Sequence, residues 1–354
     1  MKVKKTPLQK VVTILTSITA FGLIVACCLL LAMDAYIESK LNRIDYDDGT
    51  EEWSGVDIDD PQYDLDENDG VPLLPDDFVD PEADDTIPEQ KPSDDNQTQN
   101  PKPDTDSLIQ NQTDEVINIL LIGADTLTGV GRSDTMILMS INKTDKRIVL
   151  TSLMRDMWVS IPGHKENRLN AAHSAGGPTL LMETLYENFG IEVEQYVKVD
   201  FSSFKAAVDV IGGIDITVNE NNYDYFKTSV GTVIHLDGET ALKYARNRNF
   251  SQGDFIRTLH QRDLLTQFAK QLAQKSLNEI DTVLNTVLDY VRTNIPKEEL
   301  KNYIGDAITY LGYDMDTARL PCAGSFKNAN KNGRAVLEVD FDMNILYLKT
   351  KIYG

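Results

Sequence analysis

Ile117-Asn118-Ile119-Leu120-Leu121-Ile122, closed by Gly123, is a short and almost unbroken apolar run, the pattern of a strand buried on both faces. Working outward, residues 135–141 and 147–153 repeat it on either side of Asn142-Lys143-Thr144-Asp145-Lys146, a polar turn that reads as a hairpin. A helix is expected after Gly176-Gly177-Pro178, where Leu181, Met182, Leu185 and Phe189 share one face and Gly190 ends it. Residues 194–199 form a strand, 201–211 a helix closed by Gly212-Gly213, and 214–218 another strand. Helices are expected over 254–275, 278–292 and 297–311. Strands alternating with helices predict an α/β fold, a mixed central sheet flanked by helices in an α-β-α sandwich.

Upstream of that first strand the composition changes sharply. Residues 45–106 hold 23 Asp and Glu against two lysines, whereas 107–354 hold 31 acids against 26 basic residues. The formal charge of −22 therefore belongs mostly to one segment. No region carries the basic excess of a nucleic-acid binder. An acidic, Pro-rich stretch with few apolar residues predicts a disordered tether, with a coil reach of roughly 40–47 Å. Its Asp pairs (47–48, 59–60, 76–77, 84–85, 94–95) match no EF-hand spacing.

Further upstream, residues 11–33 carry no charge, enough to cross a ~30 Å hydrocarbon layer. Lys2, Lys4, Lys5 and Lys10 precede the run and Asp34 and Glu38 follow it. The positive-inside rule then predicts a single-pass cell-membrane protein with a cytoplasmic N-terminus and an extracellular folded part. A cleavable signal peptide would have a shorter apolar core. A lipid anchor at Cys27, after Ile24-Val25-Ala26, fits poorly because the apolar run continues beyond it. The remaining cysteines, Cys28 and Cys322, give no intradomain disulfide framework.

Arginine placement is the most unusual feature. Six of the twelve sit in short polar sequences at element ends: Gly131-Arg132-Ser133-Asp134, Leu153-Met154-Arg155-Asp156, Asn167-Arg168-Leu169-Asn170, Arg246-Asn247-Arg248 and Asp254-Phe255-Ile256-Arg257. Guanidinium forks grip phosphate oxygens bidentately and keep their charge, although a single arginine is as readily a surface ion-pair partner. Asp254, Arg257 and Gln261 fall on one helical face that continues as Leu265, Phe268 and Leu272. A polar head above an apolar stripe suits an amphiphilic ligand, and it equally suits a capped helix over a core. Asp125 and Asp134, at the mouths of neighbouring strands, could hold a hard divalent cation. No P-loop, G-x-S-x-G or zinc spacing occurs.

In order along the chain, Gly131-Arg132-Ser133-Asp134-Thr135-Met136, Thr151-Ser152-Leu153-Met154-Arg155-Asp156, Arg168-Leu169-Asn170-Ala171-Ala172-His173, Ala241-Leu242-Lys243-Tyr244-Ala245-Arg246-Asn247-Arg248 and Gly253-Asp254-Phe255 with Arg257 and Gln261 resemble the LytR-CpsA-Psr family, as does the first strand with Gly123 and Asp125. The resemblance covers about residues 116–275. It implies a phosphotransferase that moves a glycopolymer (teichoic acid or capsule) from a polyprenyl-pyrophosphate carrier onto peptidoglycan in a Gram-positive wall. By the same resemblance, Asp125 and Asp134 would bind Mg²⁺, with Mn²⁺ as a substitute. Arg132, Arg155, Arg168, Arg246, Arg248, Arg257 and Gln261 would hold the pyrophosphate, and the polyprenyl tail would lie in an apolar tunnel. Asp134 and Arg155 are the catalytic candidates, Asp134 as the group assisting deprotonation. Two departures stand out: Thr126-Leu127-Thr128 follows Asp125 where a basic residue is common, and Arg168 stands where Lys is common. The boundaries expected are a cytoplasmic tail 1–10, a transmembrane helix 11–33, an acidic linker 34–115, a catalytic domain 116–275 and its extension 276–354. A polyprenyl-pyrophosphate phosphatase, which would use the same residues, and a non-enzymatic lipid-binding or regulatory membrane protein are the alternatives; against direct DNA binding by the latter stands the short tail 1–10, which holds no helix-turn-helix.

Overall fold

The computed structural model describes residues 35–49, 53, 55–60, 78–83, 116–124, 127, 133, 135–247 and 253–354. Residues 1–44 and 45–354 form two units; in the first, residues 35–41 are helical. The apolar run 11–33 lies outside the described residues, among which no helix is long and apolar enough to cross a membrane.

The second unit opens with strands β1 (Asp45–Tyr46), β2 (Val116–Ala124), β3 (Thr135–Asn142) and β4 (Arg147–Leu153). Two short strands, β5 (Met157–Val159) and β6 (Asn167–Arg168), lead into helix α1 (Leu169–Phe189). Then come β7 (Gln195–Asp200), α2 (Phe201–Val210), β8 (Ile214–Thr217), the single turn α3 (Tyr223–Phe226) and β9 (Val233–Leu236). Helices α4 (Gly238–Arg246), α5 (Gly253–Leu272) and α6 (Leu277–Val287) follow. The chain ends in β10 (Val291–Thr293), α7 (Lys297–Leu311), β11 (Asp314–Leu320), β12 (Phe326–Lys331), β13 (Arg334–Val339) and α8 (Phe341–Tyr353).

Seven strands make the central sheet, in the order β1-β10-β7-β2-β3-β4-β11. β2 runs parallel to β7 and antiparallel to β3, β3 antiparallel to β4, and β4 parallel to β11. The carboxyl ends of β7, β2, β4 and β11 therefore lie at one end of the sheet, where open α/β sheets place their ligands. Side chains alternate across the sheet. Leu120, Ile122, Leu138 and Val149 pack with Leu181, Leu185 and Phe189 of α1 and Tyr347 and Leu348 of α8 in the largest core. On the other face Ile137, Ile141 and Leu150 meet Leu265 of α5 and Tyr310 of α7. A third cluster, with Val208, Ile216, Tyr244 and Leu264, joins α2, α4, α5 and α6 to the β8–β9 hairpin. The mixed sheet between helical layers is the architecture expected from the sequence.

Three expectations are corrected. The α1 helix begins at Leu169, nine residues before Pro178. Gly176 and Gly177 kink it, with Gly177 at φ +64°, and Pro178 restarts it, so the breaker signal marked a kink inside a longer element. Residues 291–292, expected to end a helix, belong to β10, which pairs with β7. Most consequentially, the acidic linker is not uniformly disordered. β1 pairs with β10, Ile58 is 4 % exposed in the main core, and Trp53 packs where a Cβ on Gly177 would sit. Averaged composition concealed the three apolar anchors Trp53, Ile58 and Phe78, and the acids around them find specific partners. Asp47 accepts a 2.6 Å bond from the Tyr196 hydroxyl, and Asp59 accepts from Lys165 N–H and faces His164 Nδ1 at 3.2 Å.

Candidate functional site

At the carboxyl end of β4 the chain turns through Met154, whose N–H is held by Leu320 O of β11 at 2.8 Å, and presents Arg155 and Asp156. Arg168 arrives from β6, which pairs with β5 just beyond Asp156. Asp254 and Arg257 enter from the first turn of α5. All five are almost wholly buried. Arg155 Nε lies 3.5 Å from Asp156 Oδ2 and 3.3 Å from Asp254 Oδ2. Arg168 Nη1 donates to Asp156 Oδ1 at 3.3 Å, and Arg257 Nη2 to Asp254 Oδ2 at 2.6 Å. Three guanidiniums thus converge through two carboxylates, away from bulk water, where charge–charge terms are large.

Burial raises the Asp156 pKa, and the neighbouring Asp254 charge pushes the same way, while Arg155 and the other arginines oppose them. Both acids sit in motifs singled out from the sequence, Asp156 directly after Arg155 and Asp254 one turn before Arg257. Their part as holders of the arginines was missed, because sequence spacing does not show which side chains face each other. Asn170 was missed too. Its N–H donates to Arg155 O at 3.3 Å, and its buried side-chain amide has no hydrogen-bond partner among the described residues. Such a group is costly to bury unless something pairs with it.

Gln261 shares the α5 face of Arg257, as predicted, but its Nε2 donates to Ala245 O at 3.2 Å, tying α5 to the end of α4. Arg246, at that end, stacks its guanidinium 5.0 Å from the Phe201 ring. Phe201 in turn closes on Gly123, where an added Cβ would come within 3.1 Å of the ring. Arg246 is therefore placed beside the carboxyl end of β2, and Arg155, Arg168 and Arg257 beside that of β4. Asp125, Arg132, Asp134 and Arg248 lie outside the described residues. The described residues contain no group of three or more His, Cys, Asp or Glu suited to a metal. The apolar stripe of α5 divides: Leu264 joins the helical cluster with Phe268 and Leu272, while Leu265 joins the sheet-face cluster. Helix α5 thus runs from a charged end into the seam between two apolar layers.

With that geometry in view, the family model described as the LytR_cpsA_psr family matches residues 83–343. Among curated relatives, the Enterococcus faecalis polyisoprenyl-teichoic acid–peptidoglycan teichoic acid transferase TagU is 34 % identical over 198 residues, 53 % of this chain and 64 % of the relative. The chain thus spans somewhat less than two thirds of that relative. Regulatory protein MsrR of Staphylococcus aureus is 30 % identical over 227 residues, 62 % of this chain and 69 % of the relative. Among solved structures, B. subtilis TagV is 27 % identical with a TM-score of 0.54, covering 68 % of this chain and 99 % of its own. TagT bound to LIIa-WTA, at 24 % identity, shares the fold with a TM-score of 0.55 over 68 % of this chain and 90 % of its own. The chain belongs to the LytR-CpsA-Psr family.

Proposed function

We propose that the protein transfers a glycopolymer from a polyprenyl-pyrophosphate carrier to peptidoglycan, through a phosphodiester, at the outer face of the cell membrane. The observation that carries this reading is the convergence of buried Arg155, Arg168 and Arg257 at the carboxyl ends of the parallel strands. Fixed guanidiniums there neutralise charge developing on the bridging oxygen as the P–O bond breaks. Arg132, Arg246, Arg248 and Gln261 complete the pyrophosphate contacts in this reading. Support also comes from the teichoic acid transferase named among the relatives. A charged first turn followed by apolar residues along α5 suits a pyrophosphate headgroup on a long isoprenoid.

Asp156 and Asp254 are engaged by arginines; Asp125 and Asp134, the pair to which the family resemblance gives the metal, are proposed to hold a divalent cation. Carboxylate oxygens suit Mg²⁺, or Mn²⁺ in its place; when bound it would supply Lewis-acid stabilisation of the phosphoryl oxygens. Arg155 is proposed to orient the scissile phosphate and Asp134 to assist deprotonation of a peptidoglycan hydroxyl. We place the active region, residues 116–275 with the extension 276–354, outside the cell, anchored by residues 11–33 with the tail 1–10 in the cytoplasm. A regulatory reading draws on MsrR, named a regulatory protein.

The test uses the whole chain in detergent, because a fragment beginning near residue 107 would lack β1, Trp53, Ile58 and the 78–83 segment. Polyprenyl-pyrophosphate-linked saccharide and peptidoglycan fragments are supplied with and without Mg²⁺. Metal-dependent lipid phosphate release with sugar on peptidoglycan is expected, falling at least ~100-fold in Arg155→Ala and Asp134→Ala. Free sugar phosphate would make the protein a phosphatase. Lipid binding without turnover would leave a regulatory or lipid-binding protein.

A further inference from the structure

Residues 78–83, five of them ahead of the stretch that the family model matches, lie against the helix that carries Arg257. Asp80 grips Arg319 of β11 with two bonds, Nη1 to Oδ1 at 3.0 Å and Nη2 to Oδ2 at 2.7 Å. Glu82 accepts from Arg262 of α5 and lies 3.5 Å from Arg319 Nη1. Both arginine side chains are only 2 % exposed. Phe78 packs on Phe255 of α5 at 4.9 Å and edge-on to Phe326 of β12, and the Arg319 guanidinium covers the Phe255 ring at 4.5 Å.

These contacts reach the anion site by two short routes. Phe255 and Arg262 are seven residues apart, so they share the face of α5 next to that of Asp254, Arg257 and Gln261. Arg319 is paired in register with Ser152 of β4, whose hydroxyl donates to Thr258 O of α5 at 3.4 Å, three residues before Arg155. One segment therefore ties together the helix that supplies Arg257 and the strand pair that supplies Arg155. Without Asp80 and Glu82, two buried guanidiniums would lose their counter-charges, and buried cations escape that cost only by moving toward water. Moving Arg262 moves α5.

We propose that Asp80 and Glu82 are positioning residues: they clamp α5 to β11 and so set the spacing of Arg257 and Arg155 for their ligand. This gives part of the acidic linker a role in shaping the site from outside it rather than as a spacer, and it rests on the pyrophosphate reading of the cluster. The test compares the full chain in detergent with Glu82→Gln, Asp80→Asn and the charge-conserving Glu82→Asp. Backbone hydrogen exchange and inorganic pyrophosphate affinity in Mg²⁺ are measured on each. In Glu82→Gln, exchange across 254–262 should accelerate together with 78–83. Pyrophosphate Kd should rise about tenfold, and Glu82→Asp should recover both; should Glu82→Gln not fold, Asp80→Asn should show the same faster exchange and weaker binding instead. Acceleration confined to 78–83 with unchanged Kd would overturn the clamp and leave a surface strap. Should the wild-type chain bind no pyrophosphate, the ligand reading fails, and exchange alone decides: coupled acceleration keeps the clamp, uncoupled acceleration removes it.

Discussion

The ionisable residues of this fold are tuned by where they are buried. His260 lies on α5 with its ring 4.0 Å from the Tyr244 ring and its Nε2 3.3 Å from Asn221 O. Burial depresses its pKa to about 4. The unfolded chain, with an ordinary histidine value near ~6.5, takes up a proton first as pH falls. This contribution is therefore complete above about pH 6.5 and is lost as pH drops toward 4, amounting to about 3 kcal/mol at most. Thermal melts from pH 8 to pH 4.5 should show that decline, and His260→Phe should flatten it. Lys198 shows the same physics with a base on a strand. Burial and the Arg292 charge beside it lower its pKa to about 8, while the Trp53 ring lies 5.3 Å away.

At the scale of elements, α1 shows how a glycine pair serves two masters. Gly177 adopts φ +64°, and a Cβ there would come within 2.5 Å of the Trp53 ring. Val56 N–H then donates to Ser174 O at 3.0 Å, fixing the linker along the helix. Gly177→Ala should cost about 1–3 kcal/mol, from backbone strain and overpacking together. Its signature should be a red shift in tryptophan emission as Trp53 is displaced, and an unchanged spectrum would show that α1 absorbs the methyl by itself. Elsewhere the local rules are followed closely. Asp200, Asp237 and Asp340 cap α2, α4 and α8, and Ser276 with Glu279 makes a full capping box on α6.

For the whole second unit, the described stretches of the acidic segment are part of the structure they were expected merely to tether. They add an edge strand, an isoleucine in the core, a tryptophan over two cations and two carboxylates for buried arginines. A chain starting at residue 107 should melt at least ~5 °C below the full chain: burying Ile58 alone contributes about 1.5–3 kcal/mol, and each kcal/mol is worth roughly 2–4 °C at this size. Equal melting temperatures would return the segment to a passive tether. Strands β10 and β11 have the same consequence at the other end of the chain. They extend the sheet on both sides, so residues 276–354 complete the layer that carries the site.

The sequence by itself determined the alternation of strands and helices and the mixed sheet, and it marked arginines as candidates, because periodicity and element-end chemistry are local and leave a local trace. Arg155, Arg168 and Arg257 were legible as candidates since each sits beside a strand or helix end. What only the tertiary structure decided is which charges meet. Asp156 and Asp254 hold those arginines, Gln261 turns to Ala245 O, and Asp80 and Glu82 reach arginines 239 and 180 residues away. Such pairings depend on the register of β4 against β11 and on the rotation of α5 over the sheet. Neither leaves a mark in any window of sequence. Composition misled in the linker for the same reason: an average over many residues cannot see that a few apolar side chains and a few acids each have a place prepared for them elsewhere in the chain.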